Sequence, residues 1–138
     1  MRRGSPLFVD TGAWIALALD RDPYHDRAVA IWELALSGGS RIFTSIPVLI
    51  ETFTFLDRNV TRDVALAWKD GIVELKRVSV LECKRSDLQS SWDYFTRKDL
   101  HKLSAVDATS FVLMKREKIR LVFSFDHHFA SAGFQMAG

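Results

Sequence analysis

The chain has 138 residues, 48% of them hydrophobic and 26% charged, a balance that supports one buried core and excludes wholesale disorder. Nineteen Lys and Arg against seventeen Asp and Glu leave a formal charge of +2, which is compatible with a polyanionic partner but is no evidence for one. The single cysteine, Cys83, excludes an internal disulfide framework and a Cys-rich zinc module, and suits a reducing cytoplasm.

The N-terminal region carries no recognisable address. Leu7-Phe8-Val9 is cut short by Asp10, and the next apolar stretch, Ala13 to Leu19, falls far below the ~20 residues that span a bilayer. With no repeat, low-complexity tract or long linker, the expectation is a cytoplasmic protein with no membrane association and a single domain over residues 1–138.

Leu7-Phe8-Val9 reads as a buried strand running into a tight turn at Asp10-Thr11-Gly12, followed by a short helix from Ala13 to Leu19. Asp22 as cap and Pro23 in the first turn predict the start of a second helix. Its stripe is Ala28, Ile31, Trp32 and Ala35, and it stops at Ser37-Gly38-Gly39-Ser40. Arg41 to Thr44 is a second strand. Pro47 opens a helix with Val48, Glu51, Thr52 and Phe55 on one broad face. Thr61 caps the next, whose stripe is Val64, Ala65 and Trp68, with Gly71 as its expected stop. Ile72 to Val80 alternates like a strand, and Lys84 to Thr96 reads as a helix with Leu88, Trp92 and Phe95 in line. Ser104 to Glu117 is the clearest helix, and Arg120 to Ser124 a compact strand. Short apolar strands alternating with helices predict a three-layer α/β/α sandwich around a mostly parallel sheet. Trp32, Trp68 and Trp92 are expected in its core.

Four acids fall at the ends of these elements. Asp10 and Asp126 follow strands, Asp107 lies in the first turn of a helix, and Glu51 lies in the helix after the second strand. In an open parallel sheet the carboxyl ends of the strands share one edge, where ligands bind. Three of the acids have local alternatives. Asp10 and Asp126 would serve as helix caps, and Ser104-Ala105-Val106-Asp107 resembles a capping box with Asp in place of Glu. Glu51 is harder to explain locally, because Pro47, Val48, Thr54 and Phe55 surround it on the helix and only Arg58, two turns on, offers a cation. Converging carboxylates repel unless a cation joins them. An all-oxygen set without thiolates points to Mg²⁺ or Mn²⁺ rather than Zn²⁺.

Four stretches in order now become recognisable: Leu7-Phe8-Val9-Asp10-Thr11 with Ala13-Trp14-Ile15-Ala16-Leu17; Thr44 through Pro47 to Glu51; Leu103 to Ala108; and Leu121 to Phe129. Together they resemble the PIN (PilT N-terminus) domain nucleases, especially the VapC-type toxins of toxin–antitoxin pairs, over residues 7 to 129. The resemblance implies a divalent-metal-dependent endoribonuclease that hydrolyses RNA phosphodiester bonds. It carries the acidic quartet onto Asp10, Glu51, Asp107 and Asp126, holding Mg²⁺ (or Mn²⁺), with Thr11 and Ser124 as hydroxyls orienting water or phosphate. It also implies homodimerisation and neutralisation by a small antitoxin protein, for which residues 53 to 68 are the expected contact. The sequence departs from the common pattern at Ser124, where Thr is usual, and at His127 and His128, which are read as a solvated pair. Asp99 ranks below the quartet, as part of a surface segment. Arg97, Lys98, His101 and Lys102 form a candidate RNA contact, with Lys98 and Lys102 as substrate-positioning residues. The basic cluster from Lys115 to Arg120 suits a helix C-terminus instead.

Other readings stay open. A haloacid-dehalogenase-type phosphatase needs a second Asp two residues after the first, where Gly12 stands. A general RNA-processing PIN nuclease, or a catalytically silent PIN module binding RNA or protein, keeps the same fold.

Overall fold

The computed structural model describes residues 2–138. Five strands form the sheet: β1 (Pro6–Val9), β2 (Arg41–Ser45), β3 (Val78–Leu81), β4 (Leu121–Phe123) and β5 (Gln135–Met136). Seven α-helices connect them: α1 (Thr11–Ala18), α2 (His25–Ser37), α3 (Ile46–Asn59), α4 (Arg62–Glu74), α5 (Arg85–Ser91), α6 (Ala105–Arg116) and α7 (His128–Ser131), with a 3-10 turn at Trp92–Thr96.

Every strand pair is parallel, in the order β3-β2-β1-β4-β5. Phe8 at the centre aligns with Phe43 on one side and Val122 on the other. Leu7, Phe8, Val9, Val122 and Phe123 are fully buried, as central strands covered on both faces require. Helices α1 to α4 pack as one group, and α5, the 3-10 turn, α6 and α7 as another. The result is the expected three-layer α/β/α arrangement. Trp14 on α1 meets Trp32 and Trp68 edge-on, with centroids 5.6 and 6.5 Å away, while Phe111 on α6 meets Phe129 edge-on at 4.9 Å and Phe134 at 5.7 Å.

The chain builds β1, β2 and β3 outward in one direction, then returns to lay β4 on the opposite side of β1. The strand order therefore reverses between β1 and β4. In open α/β sheets the crevice outside the strand ends at such a reversal is where ligands bind.

Several local expectations are corrected. Thr11 and Gly12 already belong to α1, so the turn after β1 narrows to Asp10. Asp22 does not cap α2. Its Oδ1 accepts from the Tyr24 N–H at 2.8 Å, a self-contained turn that delays the helix to His25. Gly71 does not stop α4, because Ile72 continues the stripe of Trp68 against the core and that burial outweighs the glycine. The predicted strand from Ile72 thus shrinks to β3. The predicted helix from Lys84 to Thr96 tightens at Trp92 into a 3-10 turn, and its predicted stripe of Leu88, Trp92 and Phe95 faces outward while Asp87 and Ser91 are the buried residues of this segment. Trp92 is 50% exposed, not core. Strand β5 was not anticipated. It follows a helix-ending turn in which Gly133 takes φ +99° and the Phe134 N–H reaches the Phe129 carbonyl at 3.0 Å.

Candidate active site

Asp10 sits where β1 ends. Its backbone N–H still donates to the Phe123 carbonyl at 3.0 Å, which fixes the residue against the end of β4. The carboxylate makes no cap for α1 and is instead only 4% exposed. Its Oδ2 accepts from the Ser124 hydroxyl at 3.0 Å, while its Oδ1 is buried without a hydrogen-bond partner. The Ser124 oxygen in turn accepts from the Asp126 N–H at 3.0 Å, so one hydroxyl ties the two strand ends together.

Asp107 stands in the first turn of α6, where its N–H donates to the Ser104 Oγ at 3.0 Å. Ser104 is thus the cap that the sequence suggests, leaving the Asp107 carboxyl to face Asp10 and Asp126. Asp126 does not cap α7, whose cap position is His127. It accepts from the His128 N–H at 2.9 Å in a turn just before the helix and lines the cleft with its partly buried side chain. Helix α3 is started by Ser45, whose Oγ accepts from the Val48 N–H at 3.2 Å, and one turn further Glu51 reaches the same cleft.

All four acids line an open cleft of about 660 Å³ at the strand-order reversal, with Thr11, Lys102 and Phe125 among its walls. Thr11 also buries a hydroxyl with no partner. Behind the site, Thr44 accepts from the Trp14 indole at 3.1 Å and donates to the Val9 carbonyl at 2.9 Å, pinning α1 and β2 to the end of β1.

The electrostatics follow from this crowding. Burial, with Glu51 and Asp126 nearby, raises the Asp10 carboxyl to about 7 against hydrogen bonds from the Thr11 backbone and Ser124. Burial raises Asp107 to about 9, helped by the charge of Asp10 and by a hydrogen bond to Asp126 that favours its protonated form. Asp126 moves the other way. Burial opposes its charge, but the His128 N–H, the Asp107 carboxyl and the His128 ring together hold it below the usual carboxylate range. Without a cation, this site keeps a proton between its aspartates.

A buried carboxylate oxygen with no partner, beside a carboxyl forced to stay protonated, fits a divalent cation. The donors are carboxylate oxygens with one imidazole nitrogen nearby and no thiolate. Asp107, Asp126 and His128 can each offer an atom within 4.8 Å of the others.

The other candidates separate cleanly. Lys102 lines the cleft, whereas Lys98 is exposed and lies outside its lining. Asp99 is held in a surface pair with Arg97, 2.5 Å from its guanidinium, away from the site. His127 is exposed, as expected of a solvated residue, but His128 is not. Its Nδ1 is 3.0 Å from Asp126 Oδ1 and 3.9 Å from Asp107 Oδ2. In the basic cluster from Lys115 to Arg120, Arg116 pairs with Asp87 and Lys115 lies 5.3 Å from the centre of the Tyr94 ring, a structural role as expected. The sequence reading missed Phe125, whose ring stacks on Tyr24 at 4.4 Å beside Arg27 at the edge of the cleft. Only its place next to Asp126 marks it in the sequence.

A fold and an acidic cleft of this kind define a class, and the family comparison agrees. The PIN domain model matches residues 7–135, and the chain belongs to the PIN domain family. It is 36% identical over 129 residues to the 23S rRNA-specific endonuclease VapC20 of Mycobacterium tuberculosis, covering 93% of this chain and 95% of that one. The crystal structure of that Mycobacterium tuberculosis VapC20, a sarcin–ricin-loop-cleaving toxin, aligns with a TM-score of 0.83 at 33% identity, over 93% of this chain and 95% of the other. VapBC2 from Rickettsia felis, solved with a DNA fragment from its promoter, aligns with a TM-score of 0.69 over 95% and 96% of the two chains. At 13% identity that likeness concerns the fold alone.

Proposed function

We propose that this protein is a Mg²⁺- or Mn²⁺-dependent endoribonuclease that cuts a structured loop of ribosomal RNA, and that it is the toxin of a toxin–antitoxin pair. The observation that carries the reading is the meeting of Asp10, Asp107 and Asp126 at the strand-order reversal, with a buried oxygen of Asp10 left unpartnered. Identity of 36% to a 23S rRNA-specific endonuclease supports the choice of RNA.

In this reading one nuclease domain occupies residues 1–138, and Asp10, Glu51, Asp107 and Asp126 hold the cation. When bound, the cation neutralises phosphate charge and makes water a better nucleophile. The chain's own groups prepare that chemistry. Ser124 fixes the Asp10 carboxylate, and Asp107 gives up its proton when the cleft is loaded. Lys102 faces the cleft as a partner for a phosphate oxygen. Thr11 places a free hydroxyl in the same wall.

The partners in this reading are RNA, a second copy of the chain and a small antitoxin. Exposed Ile46, Ile50 and Phe55 on α3 border a second, more apolar cleft of about 630 Å³ that shares Glu51 with the first, a surface suited to a partner helix. No helix among the described residues is long and apolar enough to cross a membrane, and the cytoplasm is the proposed location.

The test is to incubate the purified protein with ribosomes and with a stem–loop RNA, in Mg²⁺, Mn²⁺ or EDTA, beside Asp10→Asn. A discrete cut that needs metal and is lost in the variant is expected. Intact RNA in every metal, from folded protein free of an inhibitor, would leave only the silent binding module.

A further inference from the structure

The His128 ring is oriented by its surroundings in a way the nuclease reading above does not use. Its Nε2 lies 2.6 Å from the His101 carbonyl oxygen. A carbonyl only accepts, so Nε2 carries the proton and donates it. In the neutral ring Nδ1 then presents a lone pair. That nitrogen is shielded from solvent and has no hydrogen-bond partner. It faces Asp126 Oδ1 at 3.0 Å and Asp107 Oδ2 at 3.9 Å.

A lone pair held against two carboxylate oxygens is repulsive. Either a second proton on the ring or a cation among the three groups relieves it. The ligand atoms of Asp107, Asp126 and His128 all lie within 4.8 Å of one another, so small side-chain shifts bring them onto one ion at metal–ligand distances of about 2.0–2.2 Å. A second proton would let the ring donate from both nitrogens and would support the Asp126 charge, but it leaves the buried Asp10 oxygen of the same cleft without a partner, which a cation meets as well. A ligating histidine has its other nitrogen on a carbonyl as its usual support, because the outer hydrogen bond fixes both tautomer and ring direction.

We propose that His128 is a nitrogen ligand of the cation through Nδ1, beside Asp107 and Asp126. The site is then a mixed carboxylate–imidazole one that favours Mn²⁺ over Mg²⁺, since a nitrogen donor suits a transition metal better than it suits Mg²⁺. The inference rests on the metal-dependent reading above and adds the identity of a ligand. It also links the ion to the loop before α6. The carbonyl that holds His128 belongs to His101, and the next residue, Lys102, lines the cleft with its backbone at φ +58°. Side chains rarely adopt that conformation without support.

The experiment is electron spin-echo envelope modulation on the full chain loaded with Mn²⁺, with histidine at natural abundance and again labelled with ¹⁵N. Nitrogen modulation that changes on labelling is expected in the unaltered protein, so the first readout needs no variant to fold. The modulation should vanish in His128→Gln and persist in His127→Gln, and Mn²⁺ affinity should fall about 10-fold or more in His128→Gln, with a smaller change for Mg²⁺. Bound Mn²⁺ without nitrogen coupling, or coupling that survives in His128→Gln, overturns the proposal. So does Mn²⁺ affinity that is unchanged or higher in His128→Gln, which would make the ring a counter-charge. RNA cleavage without nitrogen coupling removes this ligand and keeps the nuclease. Nitrogen coupling without RNA cleavage does the reverse.

Discussion

Asp87 and Asp107 stand at the third position of α5 and α6, and each is 6% exposed. The helix dipole favours a carboxylate equally at both places. Their neighbours differ. Asp87 accepts from the Lys84 N–H at 2.9 Å and pairs with the Arg116 guanidinium, which also reaches the Glu82 carbonyl at 3.2 Å. The charged groups that set the Asp107 carboxyl are Asp10, Asp126 and Glu51, all acidic. A buried acid supplied with its own arginine braces two helices. One supplied only with other acids has no cation of the chain to balance it, which is the basis for proposing a metal ion there.

The sharpest way to break this contrast is to neutralise each acid in turn. Asp107→Asn should lower RNA cleavage by about 10²-fold or more, measured with the metal-loaded protein on a stem–loop RNA, while Asp87→Asn should cleave at close to the original rate. Stability should respond in the opposite sense. Asp87→Asn removes the buried one of the two carboxylates that pair with Arg116 and should cost about 2 kcal/mol in denaturant unfolding. Asp107→Asn removes a carboxyl that burial penalises, and should unfold no more easily than the parent at pH 8.

The pH dependence sharpens the same point. Asp10 and Asp107 hold protons more tightly in the folded chain, near 7 and 9, than at their ordinary value of 3.8. Between about pH 4 and pH 9 the folded state therefore binds more protons than the unfolded one, and this contribution to stability falls as pH rises. Melting of the metal-free protein should show that decline, flatter in Asp107→Asn. Saturating Mn²⁺ should restore stability most at the alkaline end, with proton release on binding.

Smaller effects are expected from the supports. Ser124→Ala leaves the Asp10 carboxylate and the Asp126 N–H without their shared partner and should reduce cleavage about 10-fold, with a loss of about 1 kcal/mol in stability. Lys118, at φ +58° in the turn that ends α6, should tolerate glycine with a gain of about 1 kcal/mol, since its N–H and that of Ile119 already bond Lys115 and Met114 as such turns require. Activity should not change in that variant.

The layers of the fold were legible because β1, β2 and β4 are short apolar runs and α6 has a cap and a clean stripe. Three of the four acids stood out as residues at element ends, and Glu51 as an acid on an apolar face. What the sequence hid is mostly a matter of competition between local and distant contacts. Asp22 looks like a helix cap until its carboxylate bonds Tyr24, and Gly71 looks like a stop until Ile72 is given a core to pack on. His128 reads as half of a solvated pair because its neighbours are set by the His101 carbonyl, 27 residues away. Asp87 drew no attention because Arg116, the residue that explains it, lies 29 positions on.

The central question is whether the cleft is a cation site that Asp107 completes. The direct measurement is thermal unfolding of the parent, Asp107→Asn and Asp87→Asn at pH 8, each with EDTA and with saturating Mn²⁺. A large upward shift with Mn²⁺ is expected in the parent, a similar one in Asp87→Asn, and little or none in Asp107→Asn. Equal shifts in all three, or no shift in the parent, would contradict a cation site completed by Asp107.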